Sequence, residues 1–251
     1  MPKNNIVGVI PARLQSKRFP RKMLVDINGK PLIQHTYENA LSSKKLDTLV
    51  IATESKEIYD CAKQFGANVV MTSFDCLSGT DRVAEAIENN PEFAHTKIVV
   101  NIQGDEPNLA SSTIDSVVQA LEDDENAEVS TACVKIDSAK DLHNASVVKC
   151  TINLNGQALY FSRAMIPHGK TGEFKSELVY YKHFGIYCFR KDFLLKYGSL
   201  PSTPLQLAED LEQLKILEHG YHIHVVEVET DSIGIDTPED LKKFLQSRPN
   251  L

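Results

Sequence analysis

IVGVIPARLQSKRFPRK, residues Ile6 to Lys22, decides the fold. Ile6, Val7, Val9 and Ile10 form a short apolar run, the length of one strand buried on both faces of a parallel sheet. Pro11 is expected to end it. The ten residues Arg13 to Lys22 then hold Arg13, Lys17, Arg18, Arg21 and Lys22 and no acid, where the chain average would place about one cation. The chain as a whole is acidic, with 27 basic and 34 acidic residues and a net charge of −7. A cationic loop at the carboxyl end of a first buried strand is where open α/β sheets bind ligands. Such a cluster suits several phosphates better than one carboxylate. The simpler alternative is a solvated basic loop, but Pro11 and Pro20 stiffen the segment and its flanking strand is buried. Neither G-x-G-x-x-G nor G-x-x-x-x-G-K-[ST] is present. A triphosphate here would be held by side-chain cations more than by a glycine cradle.

Outward from this loop the chain alternates. Pro31 opens a helical pattern through Leu32, Ile33, Tyr37 and Leu41, and Leu46–Thr53 reads as a second strand. A helix from Glu54 to Phe65 ends at Gly66, a third strand covers Asn68–Thr72, and Asp81–Asn89 is helical. Lys97–Gln103 is an apolar fourth strand, and Ser111 or Ser112 caps a helix reaching Leu121. This βαβαβαβα order predicts a three-layer α/β fold, a mostly parallel Rossmann-like sheet with helices on both faces. After Glu128 the texture changes. Glu128–Lys135, Val147–Asn153, Ala158–Phe161 and Leu178–Phe189 are strand-like, with Asn155-Gly156 as a hairpin signal. We expect an antiparallel excursion over about 147–189 within one domain spanning residues 1–251. Leu205–His219 reads as one helix ended by Gly220, His222–Val228 as a strand, and Thr237-Pro238-Glu239-Asp240 as the capped start of a final helix.

At 251 residues, 42% apolar and 24% charged, the composition is that of a soluble globular chain. Its acidic balance argues against a nucleic-acid partner. No stretch approaches membrane-spanning length, and MPKNN followed by five mostly apolar residues is not a signal peptide. Cys61, Cys76, Cys133, Cys150 and Cys188 are odd in number and never spaced C-x-x-C. They read as reduced thiols in a cytoplasmic protein.

Two acids follow apolar stretches. Asp105, in VVNIQGDEP, stands just past the fourth strand, where a phosphate site needs an oxygen ligand for Mg²⁺; as a plain alternative it is a turn acid after Gly104. Asp236, in SIGIDTPEDL, is either a second such carboxylate or a helix-start residue. The two are 131 positions apart and converge only if both segments end on one sheet edge. CLSGTDR (Cys76–Arg82) has Gly79 for close backbone approach and Arg82 at a helix start. Arg163 has the planar fork for a carboxylate, and His183 in a strand is either a core histidine or a ligand. In TPLQLAEDLEQLKIL, Leu207, Leu211 and Leu214 form one stripe read as core. Glu209 and Gln213, four apart, share another face suited to sugar hydroxyls. His222 and His224 share a strand face, but with no acid or cysteine cluster nearby they do not suggest zinc.

Taken together, VIPARLQSKRFPRKMLVDINGKPLIQH, QGDEP, CLSGTDR, ALYFSRAMIP, YKHFGIYCFRK and GIDTPEDL resemble the sugar-activating nucleotidyltransferases, and more narrowly the 3-deoxy-manno-octulosonate (Kdo) cytidylyltransferases. Arg13, Ser16, Arg18, Pro20 and Lys22 fall on that family's A-R-x-x-S-x-R-x-P-x-K loop, which usually has Gly where this chain has Arg21. The resemblance implies nucleotide binding by Arg13, Ser16, Arg18, Lys22, Ser78, Gly79, Arg82 and Gln103. It implies sugar-acid binding by Arg163, His183, Tyr187, Glu209 and Gln213, and Mg²⁺ held by Asp105 and Asp236. Arg13, Lys22, Asp105 and Asp236 would be the catalytic set. The implied reaction joins CMP from CTP to the anomeric hydroxyl of a 3-deoxy-octulosonic acid and releases pyrophosphate, for lipopolysaccharide assembly by a homodimer. Cys76 replaces the family's His, Asp81 its Glu, and Gln206 and Lys215 also depart from its pattern. Other sugar acids, an amino-substituted octulosonate or a sialic acid, and a catalytically silent nucleotide-sugar-binding homologue are the alternatives.

Overall fold

The computed structural model describes residues 5–232 and 234–247. Met1–Asn4, from the opening read above as no signal peptide, and Ile233, from the GIDTPEDL region, lie outside the described residues. The chain forms two compact units, one of residues up to Asp115 together with those from Ser232, the other of Ser116–Asp231.

In the first unit β1 (Ile6–Ala12) is buried almost throughout. It runs two residues past the expected stop. The carbonyl of Val9 accepts from the N–H of Ile102 on the side of a later strand, β6 (Ile98–Asn101), whose pairing with β1 ends at Val9↔Asn101. Pro11 would have presented its N–H on that same side, beyond the last pair, so its missing donor costs the ladder nothing. On the other side Pro11 stays in register with Ala52. A two-residue ribbon, β2 (Asp26–Ile27) and β3 (Lys30–Pro31), leads into α1 (Leu32–Ala40). There follow β4 (Thr48–Thr53), α2 (Lys56–Gln64), β5 (Val69–Met71), α3 (Gly79–Glu88) and β6 (Ile98–Asn101). These four main strands pair in the order β6-β1-β4-β5, all parallel. The helix boundaries follow local chemistry. The side chain of Ser55 accepts from the N–H of Ile58 to open α2, and Gly66, at φ +80°, turns the chain out of it. Ser78 and Asp81 close a reciprocal capping box at α3. α4 (Ser111–Asp123) then carries the chain onward.

The second unit centres on β7 (Val129–Lys135), after which come α5 (Ala139–His143), β8 (Lys149–Ile152), β9 (Ala158–Ser162), β10 (Tyr181–Arg190), α6 (Lys191–Tyr197), α7 (Pro204–Glu209), α8 (Glu212–Glu218) and β11 (Ile223–Glu227). β11 lies parallel to β7, whereas β10 is antiparallel to both β7 and β8, and β8 to β9. The expected antiparallel excursion is therefore present, with Gly156 at φ +79° in the β8–β9 turn. One expectation fails. The single helix over Leu205–His219 is two helices, because Asp210 adopts a left-handed conformation (φ 53°) between α7 and α8. An aspartate tolerates that conformation better than most residues. Leu211 and Leu214 are buried as the stripe predicts, but Leu207 is exposed, since the break takes α7 off their axis.

α9 (Pro238–Ser247) returns to the first unit. Its start has Thr237 and Asp240 bonding reciprocally, side chain to backbone N–H, at 3.0 and 3.2 Å. Phe244 and Ile235 pack there with Ile27 and Leu32 in one buried cluster.

Candidate active site

Lys22 is the junction of the first unit's loop. It opens a 3₁₀ turn (Lys22–Leu24), and its side chain is only 8% exposed. Its Nζ donates to Asp105 Oδ2 at 2.6 Å and to Asp236 Oδ1 at 2.8 Å. Arg18 Nη2 lies 2.8 Å from the other oxygen of Asp236. The two carboxylates thus do converge, 131 positions apart in sequence. The backbone fixes this, since the N–H of Ile235 donates to the carbonyl of Asp105 at 2.9 Å. Gly104 lets the loop close, because a Cβ there would stand 2.9 Å from Met23 Sδ, and its carbonyl accepts from Thr36 Oγ1 at 2.8 Å. Burial alone would lower the Lys22 pKa, but Asp105 and Asp236 together outweigh it and hold the ammonium above its ordinary value. Burial likewise pushes the Asp236 carboxyl up, and its bonds to Lys22 and Arg18 more than offset this, leaving it below the usual range.

The other loop cations differ in their surroundings. Arg13, Lys17 and Arg18 are exposed, and Ser16 is half-buried. Arg21 takes a left-handed conformation (φ 58°), which glycine would adopt without strain, and its guanidinium pairs with Glu57 of α2. Gln103, just past β6, is half-buried, its carbonyl accepting from the N–H of Glu106.

The Ser78–Arg82 segment sits at the start of α3 beside the end of β1. A Cβ at Gly79 would lie 3.6 Å from Pro11 Cγ. Asp81 accepts from the Ser78 N–H at 3.0 Å, so the shorter acid is used as a cap. Arg82, which the resemblance assigns to the nucleotide, has partners within the first unit. It is buried, in an ion pair with Glu54 at 2.9 Å, and it donates to Thr72 and Ser73. Cys76 Sγ donates to Glu85 Oε2 at 3.0 Å; burial first, then that bond, push the thiol up to about 12. Glu54 is the residue that the sequence reading missed. The available signal was an acid directly after an apolar strand, the same placement that singled out Asp105.

In the second unit, His183 lies on β10 opposite Cys133, next to a bulge before Tyr187. Thr131 Oγ1 donates to the carbonyl of Ile186 at 2.6 Å, so it accepts from His183 Nε2–H at 2.9 Å and leaves Nδ1 as an acceptor. Burial pushes His183 down to about 3, and the ring is neutral. It packs against Phe161 and Tyr187, with ring centroids 4.9 and 5.5 Å away.

Arg163 Nε donates to the carbonyl of Glu209 at 2.8 Å, and Nη2 to that of Asp210 at 3.2 Å, so it grips the α7–α8 break. Both oxygens of Glu209 are taken within the unit, by Ser162 Oγ at 2.6 Å and the Arg163 N–H at 2.9 Å. Glu209 ends α7 and Gln213, buried, lies on α8, so the shared helix face expected for the two is not formed. Lys149, fully buried, donates to the carbonyls of Asn144, Val147 and Arg163 and holds this loop together. His224 pairs with Asp124 at 3.1 Å, and no group of three or more His, Cys, Asp or Glu suited to a metal occurs among the described residues.

A cytidylyltransferase family model matches residues 7–227. The 3-deoxy-manno-octulosonate cytidylyltransferase of Protochlamydia amoebophila is 50% identical to this chain, over 95% of the chain and 92% of the relative. The chain belongs to the 3-deoxy-manno-octulosonate cytidylyltransferase family. A relative of the same name from Zea mays is 44% identical, over 96% of this chain and 80% of its own length. A solved structure of CMP:2-keto-3-deoxy-manno-octonic acid synthetase complexed with CTP is 38% identical and superposes with a TM-score of 0.89, covering 97% of this chain and 99% of that one. A cytidylyltransferase structure from Leptospira borgpetersenii, 17% identical with a TM-score of 0.63, shares the fold alone.

Proposed function

We propose that the chain transfers CMP from CTP to the anomeric hydroxyl of Kdo, giving CMP-Kdo and pyrophosphate for lipopolysaccharide assembly. The observation that carries this reading is the meeting of Lys22, Arg18, Asp105 and Asp236, in a chain 50% identical to a Kdo cytidylyltransferase. The hydroxyl oxygen bonds to the α-phosphorus as the bond to the β-phosphate oxygen breaks. Arg13, Arg18 and Lys22 neutralise the triphosphate, and the catalysis is mainly positioning and electrostatic stabilisation. Asp105 and Asp236 would hold Mg²⁺. The fit is chemical, since two carboxylates already approach one cation, Lys22 Nζ, and Mg²⁺ takes its remaining positions from phosphate and water. When bound, the ion would offset charge on the leaving pyrophosphate and acidify the attacking hydroxyl.

Ser16, Ser78, Gly79 and Gln103 are assigned to the nucleotide, and Arg163, His183, Tyr187 and Gln213 to the sugar acid. Glu209, with both oxygens engaged by Ser162 and Arg163, supports that group by fixing Arg163. Exposed Leu159, Leu178 and Val179 give the second unit an apolar surface for a homodimer. No helix among the described residues is long and apolar enough to cross a membrane, and we place the enzyme in the cytoplasm.

The test is pyrophosphate release from CTP and Mg²⁺ with Kdo, an amino-substituted octulosonate and a sialic acid. Kdo should give the highest kcat/KM. A different preferred acid would correct the substrate, and no release with any would leave a silent nucleotide-sugar-binding homologue.

A further inference from the structure

Glu54 follows the last residue of β4 and is 7% exposed. Its Oε1 accepts the backbone N–H of Leu14 at 3.0 Å, and its Oε2 lies 2.9 Å from Arg82 Nη2. Leu14 is the residue after Arg13, at the start of the cationic loop. Arg82 belongs to the first turn of α3, whose Gly79 lies against Pro11, and its other guanidinium nitrogen donates to Thr72 and Ser73. One buried carboxylate therefore ties the cationic loop to the start of α3, where Ser78 and Gly79 are assigned to the nucleotide. Lys22 anchors the far end of the loop on Asp105 and Asp236; at the near end the β1–β4 ladder stops at Ala12↔Thr53, and the Glu54 carboxylate holds the next stretch through the Leu14 N–H.

We propose that Glu54 is a positioning residue for the nucleotide, setting the distance between the triphosphate cations and the Ser78–Arg82 segment. This inference rests on the cytidylyl-transfer reading. The physical argument is that a carboxylate taken out of water persists only with its charge compensated; here Oε1 accepts a hydrogen bond from Leu14 and Oε2 faces the Arg82 guanidinium as an ion pair without hydrogen-bond geometry. The geometry of those partners is thereby imposed on whatever they are attached to. A run of like charges on a loop would otherwise spread apart, and an ångström of misplacement at a reacting phosphate is enough to lower turnover strongly.

The test uses Glu54→Gln, which keeps the shape and an acceptor for Leu14 but removes the charge facing Arg82. Glu54→Asp is its companion, keeping the charge but losing the reach to hold both partners. CTP affinity is measured by calorimetry, KM for CTP and for Kdo separately in the pyrophosphate assay, and Tm for each protein. Both variants should weaken CTP binding and raise KM for CTP by about tenfold, with KM for Kdo within about twofold of the parent. A residue that only braced the fold would lower Tm and leave the ratio of the two KM values unchanged. That outcome, or CTP affinity within about twofold of the parent in both variants, overturns the proposal. Should either variant be insoluble, Arg82→Lys, which keeps the charge without the fork, is held to the same criteria. A parent enzyme that binds CTP without turnover would end the reaction proposed above while the calorimetry still decides Glu54. A parent that binds no CTP overturns both.

Discussion

Replacing Lys22 by Met removes one cation and leaves two carboxylates facing each other. Both lie within hydrogen-bond distance of one Nζ, at 2.6 and 2.8 Å, so their near oxygens are at most 5.4 Å apart. Two unit charges at that spacing repel by about 3 kcal/mol at an effective dielectric of 20. Breaking a fully buried pair costs about 3–5 kcal/mol. Here the Lys22 side chain is 8% exposed but its partners are 25% and 42% exposed, and solvent screening reduces the loss to about 2 kcal/mol. For a chain of this size that corresponds to a fall in Tm of about 4–8 °C. The carboxylates freed of their ammonium should take up Mg²⁺ without nucleotide. Millimolar Mg²⁺ should then recover much of the loss in the variant while moving the parent little.

The pH dependence has a definite sign. Asp236 is depressed in the folded state, so its contribution is present above its ordinary value of 3.8 and is lost as pH falls through the folded value. The raised Lys22 contributes below its ordinary 10.5 and is lost as pH rises through the folded value. The stability gap between parent and variant should therefore be widest between those limits and close toward acid. Thermal unfolding across pH, with and without Mg²⁺, measures all of this. A fall in Tm below about 2 °C at neutral pH, or no differential response to Mg²⁺, would refute the idea that Lys22 balances the pair.

Three further outcomes are expected. Asp105→Asn and Asp236→Asn should each lose most kcat/KM at saturating Mg²⁺, and the double variant should be scarcely worse than either, since groups acting as a unit are strongly non-additive; multiplicative losses would separate the two acids. His183, held near 3 by burial, stays neutral while the unfolded chain protonates, so stability should drop by up to about 2 kcal/mol from pH 6.5 to 5; His183→Gln should flatten that part of a Tm-against-pH curve. Asp210→Val, at a φ of 53°, should cost about 1–2 kcal/mol and raise KM for the sugar acid through the Arg163 bonds to Glu209 and Asp210, whereas Asp210→Gly should be close to neutral in thermal unfolding.

The parallel half of the fold was legible because its signals are local. Apolar runs of strand length alternate with capped helices, and Ser55, Gly66 and Thr237 act where their chemistry says they should. The convergence of Asp105 and Asp236 was foreseen as a requirement of the chemistry, but the bond that enforces it, Ile235 to Asp105, joins residues with no local relation. The α7–α8 break was not legible because periodicity runs unbroken through Leu207, Leu211 and Leu214. Only the backbone at Asp210 departs, and an aspartate there is no stronger a signal than in a helix interior. Arg82 and Glu209 show a similar limit. Residue type says that each can meet a ligand, but not that a neighbouring chain segment has already engaged it.

The stitch between Ile235 and Asp105 also sets a schedule for the newborn chain. Lys22 and Asp105 leave the ribosome early, yet Asp236 follows only after the entire second unit has been made. At ordinary elongation speeds that interval is roughly 7–26 s for 131 residues. Throughout it the ammonium of Lys22 has one carboxylate instead of two, and the proposed metal pair is half built. A nascent chain stalled short of Asp236 should therefore fold its parallel strands and still be inert toward CTP turnover, so that activity begins only near the completion of synthesis.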